Sequence, residues 1–381
     1  MKIALVSPYD FAQPGGVTNH IACLERQFTR MGHEVKIIAP ASRTITTFGD
    51  RFIPIGKPRS IPSNGSVARI TLSLTLSSTV KSVLEKEKFD IIHLHEPLCP
   101  TLCTTVLRFS QTANVGTFHA CESWPHLLWA KPLGMLMLLK KWSRNLHGKI
   151  AVSKPAMEFA NRLFPGHYDI IPNGIDLEHF SNNVSPIDEF CDGKLNVLFV
   201  GRMEKRKGAN YLLKAYKQVK QEIPESRLIL VGPGVRLRHK YEKHVAKNGL
   251  RDVIFTGHVA YDELPRYYKT ADIFCTPAIG YESFGIVLLE AMALGKPVVA
   301  SNIGGYASVL TRGAEGLLVT PKNEATLAQA LISLMNDKSL RQQMGAKGKL
   351  KAAEYGWERI AQRVLDYYAK VLGEFQHKEQ A

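Results

Sequence analysis

The chain is short of acids, of long apolar runs and of paired cysteines, and each shortage removes a class of function. Its longest apolar stretch, Leu133-Gly-Met-Leu-Met-Leu-Leu139, is far below the roughly 20 residues that a membrane-spanning helix needs. Met1-Lys-Ile-Ala-Leu-Val reads as a strand rather than a signal peptide, because Pro8 and Asp10 interrupt it before any cleavage pattern. The six cysteines contain no C-x-x-C pair and lie mostly among apolar neighbours, as expected of reduced thiols in a cytoplasmic protein. Acids number 34 against 49 lysines and arginines, a formal charge of +15. Such an excess calls for phosphorylated substrates, an anionic membrane surface or nucleic acid. No nucleic-acid motif is present and no tract alternates basic with aromatic residues on a strand, so no nucleic-acid partner is expected.

What is present is the grammar of an α/β protein. A length of 381 residues, with 45% hydrophobic and 22% charged, suggests two soluble globular domains, each large enough for its own core. Short apolar strands alternate with helical stretches throughout, the signature of doubly wound parallel sheets. In the first half, strands are expected at Lys2–Ser7, Glu34–Ala39, Ile91–His95, Asn114–Thr117 and Lys149–Val152. Helices are expected near Val17–Met31, Thr79–Lys88, Pro100–Ser110 and Lys154–Leu163. The pattern restarts at Asn196-Val-Leu-Phe-Val200 and continues through Arg227–Val231, Val253–Thr256, Ile273–Thr276 and Pro297–Ala300. A turn-rich linker from Pro172 to Gly193 separates the halves, giving domains of residues 1–175 and 176–356, with a last helix in 357–381.

Two carboxylates eight residues apart, Glu282 and Glu290, bracket Ser283-Phe284-Gly285-Ile286-Val287 at the start of an apolar helix that Gly295 and Pro297 end. Ser283 is the expected N-cap. Free backbone N–H groups at such a start attract anions, and carboxylates suit the hydroxyls of sugar or ribose. Phosphate on the amides and hydroxyls on the acids describe a nucleotide-sugar site. Between Gly201 and Gly208, four cations (Arg202, Lys205, Arg206 and Lys207) fall within six residues directly after a strand. There they would neutralise a diphosphate, the more so as it departs with growing charge. Pro14-Gly15-Gly16-Val17 sits between the first strand and its helix, where missing side chains let a diphosphate or sugar approach the backbone. It is not G-x-G-x-x-G, so no nicotinamide dinucleotide is indicated. His93, His95, Glu96, Cys99, Cys103, His119 and Cys121 lack zinc-knuckle spacing, so no metal site is expected. From Lys131 to Lys149, the cations Lys140, Lys141 and Arg144 accompany Trp129, Leu136 and Trp142. This mixture suits an interfacial membrane contact, and equally an ordinary surface helix.

These motifs, over nearly the whole chain, resemble the retaining glycosyltransferases of the large group 1 family with the two-Rossmann GT-B architecture. Within that family the chain most resembles the phosphatidylinositol α-mannosyltransferases. The resemblance implies an acceptor-binding first domain, a nucleotide-sugar-binding second domain, a cleft between them and a C-terminal helix that packs back on the first. Gly15 and Gly16 match the family's donor-diphosphate loop, Arg202 and Lys207 its Arg-then-Lys pair, and His119 an essential histidine near the transferred sugar. Arg206, Phe284, Gly285, Ile286, Val287 and the two glutamates complete the implied donor site, with backbone contacts to the base near Val259. Asn64-Gly-Ser66-Val-Ala-Arg69 matches a segment bordering the inositol-phosphate acceptor, with Asn64 and Ser66 on that side and Arg69 on the lipid phosphate. Tyr9 and Thr18 would line the same space.

The family's transfer is drawn as front-side displacement, in keeping with the lack of a nucleophile-plus-base motif. The chain has no Asp-x-Asp, so neither cofactor nor metal is expected. The implied activity moves mannose from GDP-mannose to a phosphatidylinositol-type lipid, at the inner face of the cell membrane. Tyr261 and Leu264 stand where relatives using GDP-mannose carry acid and lysine for guanine, which leaves a UDP-sugar and another lipid or polyol open. A non-catalytic binder of anionic lipid head groups is a third reading.

Overall fold

The computed structural model describes residues 1–63, 66–73, 75–121, 133–181 and 183–380, without the side chains of 62, 63, 66, 133–136 and 378–380. The chain divides into two compact units, Met1–Asn173 with Trp357–Ala381, and Gly174–Gly356. Strands are numbered in chain order. The first unit holds β1 (Lys2–Val6), β2 (Glu34–Ala39), β3 (Phe52–Pro54), β4 (Pro58–Ser63), β5 (Ser66–Thr71), β6 (Ile91–His95), β7 (Ala113–Phe118), β8 (Gly148–Ala151) and β9 (Asp169–Ile170). The second holds β10 (Leu195–Val200), β11 (Ser226–Val231), β12 (Val253–Gly257), β13 (Ile273–Thr276), β14 (Val298–Ser301) and β15 (Gly316–Val319).

In the first unit, seven parallel strands run in the order β3-β2-β1-β6-β7-β8-β9. The order reverses between β1 and β6, and the loops beyond the carboxyl ends of such a pair form the natural ligand crevice of a doubly wound sheet. Strands as apolar as β1 and β6 are buried on both faces, as helix-covered parallel sheets require. The helix Gly16–Arg30 covers one side with Ile21, Leu24 and Phe28. The C-terminal helix, starting at Trp357, adds Trp357, Ile360, Val364, Tyr368 and Val371 to the same core.

The second unit repeats the scheme with six parallel strands in the order β12-β11-β10-β13-β14-β15, reversing between β10 and β13. Its core joins the helices Ala209–Glu222 and Glu324–Asn336 to the sheet through Leu212, Tyr216, Leu327 and Leu331.

One local expectation is corrected. Ser283 does not cap the helix of the Glu282 segment. That helix runs Ile286–Ala293 with Gly285 as its N-cap at φ +94°, and no side chain caps it. A Cβ at 285 would stand 2.6 Å from the Tyr306 ring, so glycine satisfies both the left-handed backbone and the packing. The described part of the acceptor segment, residues 66–69, belongs to β5, which pairs antiparallel with β4.

Candidate active site

In the second unit, the basic loop after β10 and the loop after β13 are bound to each other through their backbones. Gly208 has φ +75°, and a Cβ there would lie 1.9 Å from the Pro277 carbonyl oxygen. Ile279 N–H donates to the Arg206 carbonyl at 2.8 Å. With the backbones this close, the side chains form an alternating chain of charge. Glu204 accepts from Arg202 at 3.1 Å and from Arg206 at 2.8 Å. Glu282 Oε1 in turn accepts from Arg206 and, at 2.6 Å, from Lys207. Three anticipated cations and one anticipated acid are thus brought together. Sequence reasoning gave Glu204 no role, although an acid inside a run of cations was the visible signal. Three cations balanced by two acids keep an excess positive charge that a diphosphate would complete, and burial strengthens such charge-assisted bonds.

Glu290 lies one turn inside the helix, buried, with Oε2 accepting from the Tyr268 hydroxyl at 2.6 Å. Burial raises its carboxyl to about 7, opposed by the Tyr268 hydrogen bond and the Lys207 charge. Phe284 is core, packed 5.9 Å from the Tyr355 ring, so its side chain is not available to a donor. Gly285, Ile286 and Val287 offer first-turn N–H groups, which have no helical carbonyl behind them. Val259 follows the end of β12, half-buried. Two residues on, Tyr261 is 49% exposed and stacks on His179, ring centroids 4.2 Å apart at 6°.

In the first unit, Gly15 is the N-cap of Gly16–Arg30. Both glycines are exposed, and a Cβ at 16 would meet nothing within 4 Å. The opening needed for close approach is there. The Thr18 hydroxyl is turned inward, donating to the carbonyls of Gly15 at 3.0 Å and Gln13 at 3.3 Å. It shapes the glycine loop rather than presenting a free hydroxyl to an acceptor.

The β4–β5 hairpin is tied to the end of β1 by a bridge from Tyr9 to Ile70 and by Asp10 N–H donating to the Arg69 carbonyl at 2.8 Å. Arg69 is set beside Asp10 by these bonds, its guanidinium 3.9 Å from the buried Asp10 carboxylate. Asp10 was not anticipated. Burial pushes the Tyr9 phenol well above its usual range. Asn64 and the Ser66 side chain lie outside the described residues, as do Trp129 and the Leu136 side chain. Of the basic segment, Met137 and Leu138 are exposed beside exposed Lys140 and Lys141.

His119 belongs to a buried imidazole cluster. Its Nε2 lies 3.0 Å from His95 Nδ1, and the His20 ring stands edge-on to both. Asn173 Oδ1 holds His20 Nδ1 at 2.8 Å. Glu96 Oε1 accepts the backbone N–H groups of His119 and Ala120, each at 2.8 Å, which fixes the turn carrying His119. Burial lowers His20 to about 4 and His119 and His95 well below their usual value. His119 is therefore a neutral imidazole at neutral pH and can offer a hydrogen bond, not a charge. Burial raises the Glu96 carboxyl to about 7 against those two amide bonds.

One ring nitrogen from each of His20, His95 and His119 lies within 4.8 Å of the others, a spacing that a divalent ion can bridge. Sequence spacing gave no reason to join His20 to the other two. In the described arrangement His95 and His119 are hydrogen-bonded and His20 is held by Asn173, while His95 Nε2 is buried without a partner among the described residues. All six cysteines are free thiols. Among the described residues no helix is long and apolar enough to cross a membrane.

Two doubly wound parallel-sheet units, one with a glycine loop at its strand-order reversal and one with a basic loop facing an acidic helix start, are the elements of a GT-B glycosyltransferase. Comparison with known families bears on the same point. The model for glycosyl transferases group 1 matches residues 184–351, and that for Glycosyltransferase Family 4 matches residues 14–179. The chain belongs to the group 1, family 4-type glycosyltransferases. It is 34% identical over 375 residues to the phosphatidyl-myo-inositol mannosyltransferase of Mycobacterium leprae, covering 97% of each chain. The protein of that name from Propionibacterium freudenreichii is 34% identical over 379 residues, covering 97% of this chain and 94% of the relative. In fold, it superposes on a glycosyltransferase crystal structure from Rickettsia africae with a TM-score of 0.79 at 17% identity, covering 97% of this chain and 98% of that one.

Proposed function

We propose that this glycosyltransferase moves a mannosyl group from GDP-mannose onto a phosphatidylinositol-type lipid, with retention at the anomeric carbon and without a metal. The observation that carries the reading is near-full-length identity of 34% to proteins named for mannosyl transfer to phosphatidyl-myo-inositol. The site chemistry supports it. In the second unit, Arg202, Arg206 and Lys207 would take the donor diphosphate. Glu282 holds two of those cations in place, and its Oε2, unengaged among the described residues, would accept a sugar hydroxyl. Gly285, Ile286 and Val287 would add backbone N–H groups, and the open Gly15-Gly16 loop of the first unit would let a diphosphate or sugar approach its backbone. Arg69 would meet the acceptor's phosphate.

The reaction breaks the bond from the sugar's anomeric carbon to the diphosphate oxygen. A new bond forms from an acceptor hydroxyl oxygen on the same face, and the hydroxyl proton passes to the leaving phosphate oxygen. The cations stabilise the charge gathering on that oxygen, and three fixed cations supply preorganised stabilisation of the kind a metal otherwise gives. His119, neutral, would donate or accept one hydrogen bond at the sugar. The exposed Met137 and Leu138 beside Lys140 and Lys141 suit peripheral attachment at the inner face of the cell membrane.

A UDP-sugar is the second reading, favoured by Tyr261, whose ring presents an aromatic surface where guanine-reading acid and lysine were looked for. Purified protein with phosphatidylinositol is expected to release GDP from GDP-mannose, give a mannosylated lipid by mass spectrometry, and keep its rate in EDTA. Release of UDP but not GDP would replace the donor; loss of turnover in EDTA, restored by a divalent ion, would overturn metal independence.

A further inference from the structure

The helix Val235–Lys247 in the second unit carries a row of cations that glycosyl transfer does not use. Arg236, Lys240, Lys243 and Lys247 follow at spacings of four, three and four residues. At about 100° per residue they fall within an arc of about 60° and run for about 16 Å. All four are exposed. The other side of the helix buries Tyr241 and packs Leu237 and Val245 against the second unit's core. The helix's one acid, Glu242, lies off the row and pairs with Arg238 at 2.7 Å. No acid among the described residues pairs with any of the four.

This arrangement is unfavourable unless something outside answers it. Like charges three and four residues apart destabilise a helix, and Arg236 stands in the first turn, at the positive end of the helix dipole. A counter-charge on a partner surface would relieve both effects. Beside Arg236, Val235 is 86% exposed, the most exposed large hydrophobic residue among those described. Three of the four cations are lysines, compact point charges without the planar fork that reads a phosphodiester backbone bidentately, and no aromatic stands on the row to stack a base. A flat row of point charges with an apolar tip fits a diffuse anionic surface with an apolar interior.

We propose that this face docks the second unit on an anionic phospholipid surface, with Val235 entering the headgroup layer. The choice of a membrane over an acidic protein rests on the lipid-acceptor reading; the charge row itself does not.

The test is sedimentation of the full-length protein with vesicles of phosphatidylcholine, with and without phosphatidylglycerol, and with no inositol lipid. Each cation at an anionic surface is worth about fivefold in partitioning. The variant Lys240→Gln/Lys243→Gln is therefore expected to bind phosphatidylglycerol vesicles about 25-fold more weakly at low salt. The control Lys338→Gln/Lys347→Gln, which removes the same charge from exposed positions of the helix Lys338–Ala353, is expected to lose only a few-fold. Val235→Ser is expected to weaken binding without changing its salt dependence. Equal losses in the variant and the control would overturn the proposal, as would binding to soluble polyglutamate but not to vesicles. Wild-type vesicle binding without any transferase activity would sink the lipid-transfer reading and leave this one standing.

Discussion

At the scale of single residues, Glu282 and Lys207 are the most consequential pair. Lys207 sits 2.6 Å from Glu282 and inside the field of Glu290, so it is a fixed cation rather than a mobile surface lysine. Fixed charges aimed at a departing group act mainly in the transition state, and loss of one such contact costs about 100- to 1,000-fold in kcat. Lys207→Ala is accordingly expected to lower kcat by that range while leaving thermal stability nearly unchanged. Glu282→Gln removes the acid that holds two cations and is expected to lower both kcat and donor affinity. Steady-state release of nucleotide diphosphate measures both, and a Lys207→Ala enzyme with wild-type kcat would remove the loop from the chemistry. The sequence made the cations and Glu282 visible through their density and their place after a strand. Glu204 was visible as an acid between Arg202 and Arg206, its two partners, whereas Glu96, His20 and Asp10 stayed hidden because each works through a partner far along the chain, as Glu96 does through the amides of residues 119 and 120. A side chain's residue type does not record that distance.

At the scale of elements, alternation of apolar strands with helices made the two parallel sheets legible, since strands buried on both faces read as short continuous apolar runs. Edges were harder. β3, β9 and β15 are three, two and four residues long, too short to carry a period, and the β4–β5 hairpin is polar with few apolar anchors. The start of the Glu282 helix was misplaced because a serine cap is a local preference, whereas Gly285 is demanded by Tyr306 packed against it. The same crowding yields a prediction one element further on. Gly305, in the short helix Gly304–Ala307, would place a Cβ 2.0 Å from the Glu282 carbonyl oxygen. A backbone atom cannot rotate away, so Gly305→Ala must displace the loop that carries Glu282. The expected outcome is a loss of about 1–3 kcal/mol in stability, together with weaker donor binding than Lys207→Ala shows. Calorimetric titration with nucleotide diphosphate checks the second part, and wild-type affinity in a destabilised protein would separate packing from the site.

For the whole molecule, the chain builds two cores and returns at its end to complete the first. The C-terminal helix was expected from the sequence, and its packing on the first unit only through the family resemblance, because a helix's own residues do not name its partner. In the fold, that helix brings Tyr368 to within 2.6 Å of His93 Nδ1 and Trp357 to 5.0 Å from the His20 ring. It thereby helps bury four imidazoles together. Burial lowers His93 to about 3 and His20 to about 4, and lowers His95 and His119 well below their usual value. A depressed folded-state value means stability that is present above the ordinary histidine range near 6.5 and lost as pH falls through the folded values. Glu96, raised to about 7, contributes in the opposite sense, gaining as pH falls from about 7 towards the ordinary carboxylate range. Four imidazoles outweigh one carboxyl, so the first unit should weaken steadily from about pH 6.5 down to about pH 4. Hydrogen exchange is expected to report this as falling protection of the amides in β1, β6 and β7. His93→Phe/Tyr368→Phe, which removes one titrating group and its partner while keeping the rings, should flatten part of that dependence. Protection in those strands that held constant from pH 7 to pH 4 would show that the cluster already carries its protons, and the neutral imidazole assigned to His119 would fall with it.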